Sequence, residues 1–318
     1  MDSNSFLKSL PNYGGTMLVN GKESSYSFLE LSKPTGKYVA RFVIKLVNIF
    51  MAKHYFRFLG NSCSPGLVMS DIQNDGGIQQ FQTSGNECGL IVCNVFGINP
   101  VKDGVVIPAD PYMVVYLNPK WQSFNDYKSD MSSKYRTRTN RVYTLSKEII
   151  FKNLNSEGLE NWIPACASLL FETLKHKTIT IGKDLGLILR SYHNQLGDNF
   201  QINGYFKDDQ LIGFISFIKD ENQMYAMHLG YELGIGTEIH LYQRMMYDLI
   251  GISIEYQLKS LNLGRTAPEI KSTMGAIPIE NSFVFFSRSK LFKWVIQFYA
   301  SKIHQPLAYT LRHPFKES

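Results

Sequence analysis

Between Phe200 and Leu229 the sequence carries three apolar runs, Phe200–Phe206, Leu211–Ile218 and Gln223–Leu229, separated by two polar breaks of four residues. The breaks are Lys207-Asp208-Asp209-Gln210 and Lys219-Asp220-Glu221-Asn222. Connections this short join neighbouring strands that run in opposite directions, so the segment reads as an antiparallel meander. A long stretch follows, Thr237 to about Lys259. Its Leu241, Tyr242, Met245, Met246, Leu249, Ile250 and Ile252 fall at helical spacing and read as core. A meander that feeds one long apolar helix excludes an all-helical bundle and an all-β barrel. It calls for an α+β fold with a mixed sheet.

The remaining pattern fits that class. Tyr112–Leu117 reads as a strand, Trp121 to about Leu145 as mostly helical, and Glu157–Lys175 as a helix. After the long helix come a Leu261–Leu263 strand, a helical turn Pro268–Met274, a Ser282–Ser287 strand and a closing helix Lys290–Ile303. Earlier in the chain, Lys37–Lys53 reads as a helix. Short strand-like runs stand at Thr16–Val19, Tyr26–Leu31, Phe56–Gly60, Gly66–Ser70, Leu90–Phe96 and Val105–Ile107.

Composition narrows the class further. The 318 residues are 44% hydrophobic and 19% charged, which suits a folded chain with a sizeable core. Net charge is +6 and the pI is near 8.9, a modest basic excess that favours phosphate-bearing or anionic ligands. It is too small to indicate DNA binding. Cys63, Cys88, Cys93 and Cys166 do not form a zinc-ligand spacing, and no metal site is expected. The start MDSNSFLKSL has no basic-then-apolar leader pattern, and Val39–Leu59 is interrupted by charges. The expectation is a cytoplasmic protein with no transmembrane segment.

The segment Leu261–Gly275, LNLGRTAPEIKSTMG, carries the chemistry. A strand that breaks at Gly264 beside Arg265, followed by a Pro-opened helical turn with Lys271, gathers cations and backbone N–H groups at one spot. Such a spot suits an anionic or carbonyl oxygen. This segment resembles the closing third of the Fem-type, peptidoglycan-biosynthesis branch of the GNAT acyltransferases, with its strand, Gly-containing turn and I-K-x-x-x-G. The order of elements over residues 110 to 290 is similar to theirs. The resemblance implies a mixed, mostly antiparallel GNAT-like sheet flanked by helices across 110–318. Residues 1–109 would be a degenerate GNAT-like half or a family-specific extension.

The same resemblance implies roles for particular residues. Lys271 would stand near the acyl carbonyl and stabilise developing charge. Gly234, Gly236 and Thr237 lie in the Gly-rich turn before the long helix, where GNAT enzymes hold the pyrophosphate of an acyl-CoA, and Arg265 would assist there. Ser132-Ser-Lys-Tyr-Arg resembles the family's S-x-K-x-R helix, so Lys134, Arg138 and Arg141, which share a helical face, would bind substrate phosphate or carboxylate. Proton carriers are sought among Tyr231, Glu232, His228 and His240. For each set a plain structural alternative stands beside the functional one: surface ion pairs, an ordinary turn with Thr237 as cap, a solvated basic face and an inert histidine.

Three functions follow from this reading. The first is an acyltransferase that moves an acyl group from an acyl-CoA thioester directly to an amine. The second is Fem-type transfer from aminoacyl-tRNA to a cell-wall precursor, although no long helical arm for tRNA is visible in the sequence. The third is a non-catalytic GNAT scaffold that binds a ligand.

Overall fold

The structure is a computed structural model that describes residues 104–155, 158–174, 185–287, 289–302 and 309–316, together with the strand backbones before 104 and at 179–180. The helix expected at Lys37–Lys53 and the strand expected at Gly66–Ser70 lie outside the described residues.

The meander forms as expected: β9 (Phe200–Lys207), β10 (Gln210–Lys219) and β11 (Gln223–Tyr231) pair antiparallel. β7 (Ile150–Asn153), which sequence pattern did not reveal, extends it beyond β9. On the other side β11 pairs in parallel with β12 (Ser260–Asn262), which pairs antiparallel with β6 (Val105–Tyr116). β6 then pairs antiparallel with β13 (Ile277–Phe286). These seven strands make a mixed, mostly antiparallel open sheet. It continues through the backbones of β5 (Glu87–Val95), β4 (Tyr55–Leu59), β2 (Lys22–Ser27) and β1 (Thr16–Val19). β3 (Glu30–Leu31) and β8 (Ile179–Thr180) pair separately. The stretches read as separate strands at Val105–Ile107 and Tyr112–Leu117 are one strand, β6, with a register shift opposite Ile279/Asn281. β6 runs across residue 109, and β5 is hydrogen-bonded to β13, so strands from both sides of that point share one sheet.

Helices cover both faces. α1 (Phe124–Asp130) and α2 (Ser133–Leu145) lie on one face, α3 (Ile163–Leu174) and α4 (Leu185–Leu196) on the other. α5 (Leu233–Glu238) leads into α6 (Leu241–Glu255), which shares the face of α1 and α2. α7 (Pro268–Ser272) follows β12, and α8 (Lys290–Lys302) lies against β6 and β13. β10 shows why its run is almost continuously apolar. Ile215 and Phe217 enter the core under α6, while Phe214 and Ile218 enter the core under α3 and α4.

Two expected helices are broken. The Trp121–Leu145 stretch divides at Met131, whose extended backbone bridges to Phe315 of the C-terminal tail. The first part is fixed by a capping box, in which Ser123 and Asp126 satisfy each other's backbone N–H groups and Asp126's carboxyl is held below its usual pKa, chiefly by the Ser123 hydroxyl. The Thr237–Lys259 stretch divides at His240, whose φ of 54 lies in the left-handed region and interrupts the helical path.

Two close approaches hold the frame. Arg244 and Asp248 of α6 form a largely buried ion pair at 2.9 Å. Tyr143 of α2 donates to the Asp248 carboxylate at 2.8 Å, and Arg244 donates to the Ser146 hydroxyl at 3.0 Å while lying 4.3 Å over the Tyr143 ring. This network ties α2 to α6. On the opposite face, Gly230 of β11 packs on the backbone of α3, and a Cβ there would lie 2.5 Å from Leu169 C and Leu170 N. Neither atom can move without moving the helix. Gly230→Ala is expected to cost about 1–3 kcal/mol of stability by overpacking. Urea unfolding checks it, and a loss of a few tenths would show that α3 is free to shift.

Candidate functional site

β11 and β12 pair over only three positions, Gln223↔Ser260 to Tyr225↔Asn262. β11 then runs on to Tyr231, while the chain after β12 stays with β6: Leu263 N–H donates to Met113 O at 2.8 Å, and Met113 N–H to Gly264 O at 3.1 Å. Because β12 is held to β6, the two parallel strands separate into a wedge. The loop 264–267 forms one lip of the wedge and the end of β11 the other.

Lys271 lies behind the loop. α7 turns it inward, and it is only 2% exposed. Its Nζ donates to Gly264 O at 3.3 Å, and among the described residues no carboxylate is paired with it. Burial alone therefore acts on the ammonium and lowers its pKa from 10.5 to about 7. A lysine in that range gives and takes a proton at neutral pH. The Gly264 N–H, expected to face an anionic oxygen, instead donates to Asn262 Oδ1 at 2.8 Å. Arg265 lies over two rings, 5.1 Å from Phe283 and 5.9 Å from Tyr112.

The C-terminal tail braces α7 from outside. Phe315 packs on Trp121 and Tyr127, Arg312 pairs with Glu269, and Arg312 N–H donates to the Ser272 hydroxyl at 3.1 Å. Tyr127 donates to Met274 O at 3.0 Å. These contacts fix the turn of helix that aims Lys271.

Across the loop stands Tyr242, in the first turn of α6. Its hydroxyl is buried and faces Tyr231 and Thr266, the latter, among the described residues, the one side chain near enough to share a proton with it. Burial raises its pKa, so it stays protonated at neutral pH. It lies in the wedge mouth, between the ends of the two separated strands. The helical spacing of Tyr242 marks it only as core. The signal available in the sequence is a tyrosine in the turn just past the Gly-rich segment.

The other expected residues divide into groups. Tyr231 stands at the wedge, its backbone N–H donating to Thr173 Oγ1 at 3.4 Å. Its ring fills the space that a side chain at Gly236 would need: a Cβ there would lie 2.5 Å from Tyr231 Cδ2, so packing alone requires glycine. Gly234 faces open space. Thr237 is inside α5, with its hydroxyl on Leu233 O at 2.6 Å, and is not a cap. The N-cap position belongs to Glu232, whose side chain does not cap and whose N–H donates to Ile212 O at 2.9 Å. His228 sits at the irregular part of the β10–β11 ladder, its ring 5.8 Å from Tyr192 of α4. That places it on the α3/α4 face, with Tyr231 turned to the α6 face. Arg138 and Arg141 line one pocket with His240, and both Arg138 and Lys134 lie over the Tyr135 ring, at 5.6 and 5.8 Å, while Lys134 does not line the pocket. Among the described residues no group of three or more His, Cys, Asp or Glu side chains is placed to hold a metal ion. Among them, too, no helix is long and apolar enough to cross a membrane.

No family model matches the sequence, and no curated protein matches it. Solved structures do match the fold. FemX is 7% identical and aligns over 89% of this chain and 89% of its own, with a TM-score of 0.52. The C-terminal domain of an Agrobacterium fabrum protein assigned as a lysylphosphatidylglycerol synthetase is 9% identical over 96% of this chain and 95% of its own, with a TM-score of 0.51. A GCN5-related N-acetyltransferase from Kribbella flavida aligns more loosely, at 8% identity over 76% of this chain and 82% of its own, with a TM-score of 0.39. At these identities the likeness is one of fold, and the chain has a GNAT-like α+β fold with its parallel strands splayed at β11 and β12.

Proposed function

We propose that this protein transfers an acyl group from a thioester of the acyl-CoA type to an amine, with Lys271 moving the proton. The observation that carries the reading is a lysine buried without a counter-ion among the described residues, behind the loop that forms one lip of a splayed parallel strand pair.

The chemistry balances on that one residue. The acceptor's neutral nitrogen attacks the acyl carbonyl, forming the C–N bond and moving the C=O electron pair onto oxygen. Neutral Lys271 takes the proton released by nitrogen, as a base with a pKa near the working pH does best. The resulting ammonium faces the oxyanion, and the Tyr242 hydroxyl supplies a second donor. The oxyanion then collapses, the C–S bond breaks, and Lys271 returns its proton to the departing sulfur. No covalent enzyme intermediate is needed.

A second reading keeps these steps and exchanges the thioester for an aminoacyl ester. The Agrobacterium protein is named for lysylphosphatidylglycerol, a lipid that carries a lysyl group. The test is an intact-mass assay in which the purified protein meets acetyl-CoA, longer acyl-CoAs or aminoacyl-tRNA, each with a panel of amines. Acyl-amine formation that requires an acyl-CoA supports the first reading. Formation only with aminoacyl-tRNA moves the proposal to the second. No product from any donor leaves the non-catalytic scaffold and overturns both.

A further inference from the structure

A pocket of about 350 Å³ opens on the side of α7 away from the Gly264 carbonyl, between α2, the start of α6 and α7. Arg138 and Arg141 reach it from α2, and His240 and Gln243 from the start of α6, so N–H donors arrive from two elements. Tyr247 supplies an aromatic wall. Among the described residues the one carboxylate that lines it, Glu269, is already bound to Arg312 of the tail. Neither Arg138 nor Arg141 is paired with a carboxylate among the described residues.

Arg138 and Arg141 bring two positive charges to one pocket, and the Arg138 guanidinium lies 5.6 Å over the ring of Tyr135, which also lines it. An anion in the pocket would accept charge-assisted, fork-shaped hydrogen bonds from them. A carboxylate of this chain would have served for a purely structural role, as Asp248 serves Arg244 within the same helix pair. The described residues of the pocket offer the two arginines none. Its volume lies at the small end of ligand sites, enough for a phosphate or pyrophosphate and part of what carries it. The left-handed His240 matters here. By breaking α5 from α6 it starts α6 afresh at the pocket rim, and it lines the pocket with the arginines.

We infer that this pocket binds a phosphate group, held by Arg138 and Arg141 with His240 and Gln243, and so anchors the phosphate-bearing end of a substrate. The identity of that substrate rests on the acyl-transfer reading, whereas the phosphate site itself does not. Ile270 and Thr273 line the pocket and Lys271 stands between them, turned to the opposite side of the same helical turn. Anchor and proton carrier are therefore about one helix diameter apart, roughly 10 Å. A substrate with phosphate at one end and its reacting carbonyl or amine at the other fits that spacing. The phosphate belongs either to the donor, as in coenzyme A, or to the acceptor, as in a phosphoglycerol headgroup.

Calorimetric titration tests this without turnover. Inorganic pyrophosphate is the probe, followed by coenzyme A with its thiol blocked and by glycerophosphoglycerol. Pyrophosphate should bind the wild type, and Arg138→Ala with Arg141→Ala together should weaken it by about tenfold or more. Arg190→Ala, which removes an exposed charge on α4, should leave binding unchanged. Tighter binding of coenzyme A assigns the phosphate to the donor, and tighter binding of the headgroup assigns it to the acceptor. Either supports the site. Failure of pyrophosphate to bind overturns it, as does an unchanged affinity in the double variant or malonate binding as tightly as pyrophosphate. These outcomes are read in binding alone, so they stand apart from a failure of acyl transfer in the mass assay.

Discussion

Lys271→Met should lower kcat by about 100-fold or more while leaving KM for the acyl donor nearly unchanged, the pattern expected when a proton carrier is lost and binding is not. The same variant should change how stability depends on pH. In the folded protein burial holds the lysine near pKa 7, against 10.5 for an ordinary lysine. Between those values the unfolded chain holds a proton that the folded chain does not, so wild-type stability should rise as pH climbs from about 7 to 10.5. Below pH 7 both states are protonated and the penalty of the buried charge is fully present. Lys271→Met carries no such proton, and its curve should lack that rise. At about 1.4 kcal/mol per pH unit the difference between the two proteins amounts to roughly 5 kcal/mol across the window. It appears as a variant more stable than wild type at neutral pH. Urea unfolding of both proteins at several pH values checks this. A pH-independent difference would mean that the lysine keeps its proton, and the proposed role would fall with it. Loss of activity accompanied by gain of stability would mark a residue kept for function at a structural cost.

Asp248→Ala should cost about 3–5 kcal/mol, because it leaves the Arg244 guanidinium buried without its partner and removes the acceptor of the Tyr143 hydroxyl. Changing Arg244→Met together with Asp248→Leu should recover most of that loss, since a matched apolar pair leaves no charge stranded. The measurement is chemical denaturation of the two single variants and the double. Additive losses would show that the pair contributes independently of its ion contact. A further consequence concerns the pocket. The network ties α2 to α6, and α2 carries Arg138 and Arg141. Asp248→Ala should therefore weaken pyrophosphate binding even though Asp248 does not line the pocket.

The sequence by itself determined the elements whose signal is local. The meander from Phe200 to Tyr231 was legible because two polar breaks punctuate apolar runs. The helix from Leu241 was legible because its core residues recur at helical spacing, and the Pro268 turn because proline opens it. α4 and β7 were not legible. β7 is exposed along most of its length, so it lacks the alternation that marks a half-buried strand, and α4 lies beyond a stretch without periodicity. The break at His240 was hidden for another reason. A left-handed backbone at a residue other than glycine is imposed by surrounding packing, and nothing in residue type announces it.

The site divides in the same way. The sequence singled out Lys271, Arg265, Arg138 and Arg141 as chemically suited, because charge and spacing are properties of the chain. Only the tertiary structure decided where each of them sits. Lys271 and Gly264 are seven residues apart, yet the lysine's pKa depends on β6, α1 and the C-terminal tail closing around α7, contacts that span up to 147 residues of sequence. Tyr242 and Thr266 meet because β11 and β12 part after three positions, and the two arginines share a pocket with His240 because α2 lies beside α6. Burial and apposition are set by where distant segments come to rest. Desolvation, which lowers this lysine's pKa, therefore exists only in the folded protein.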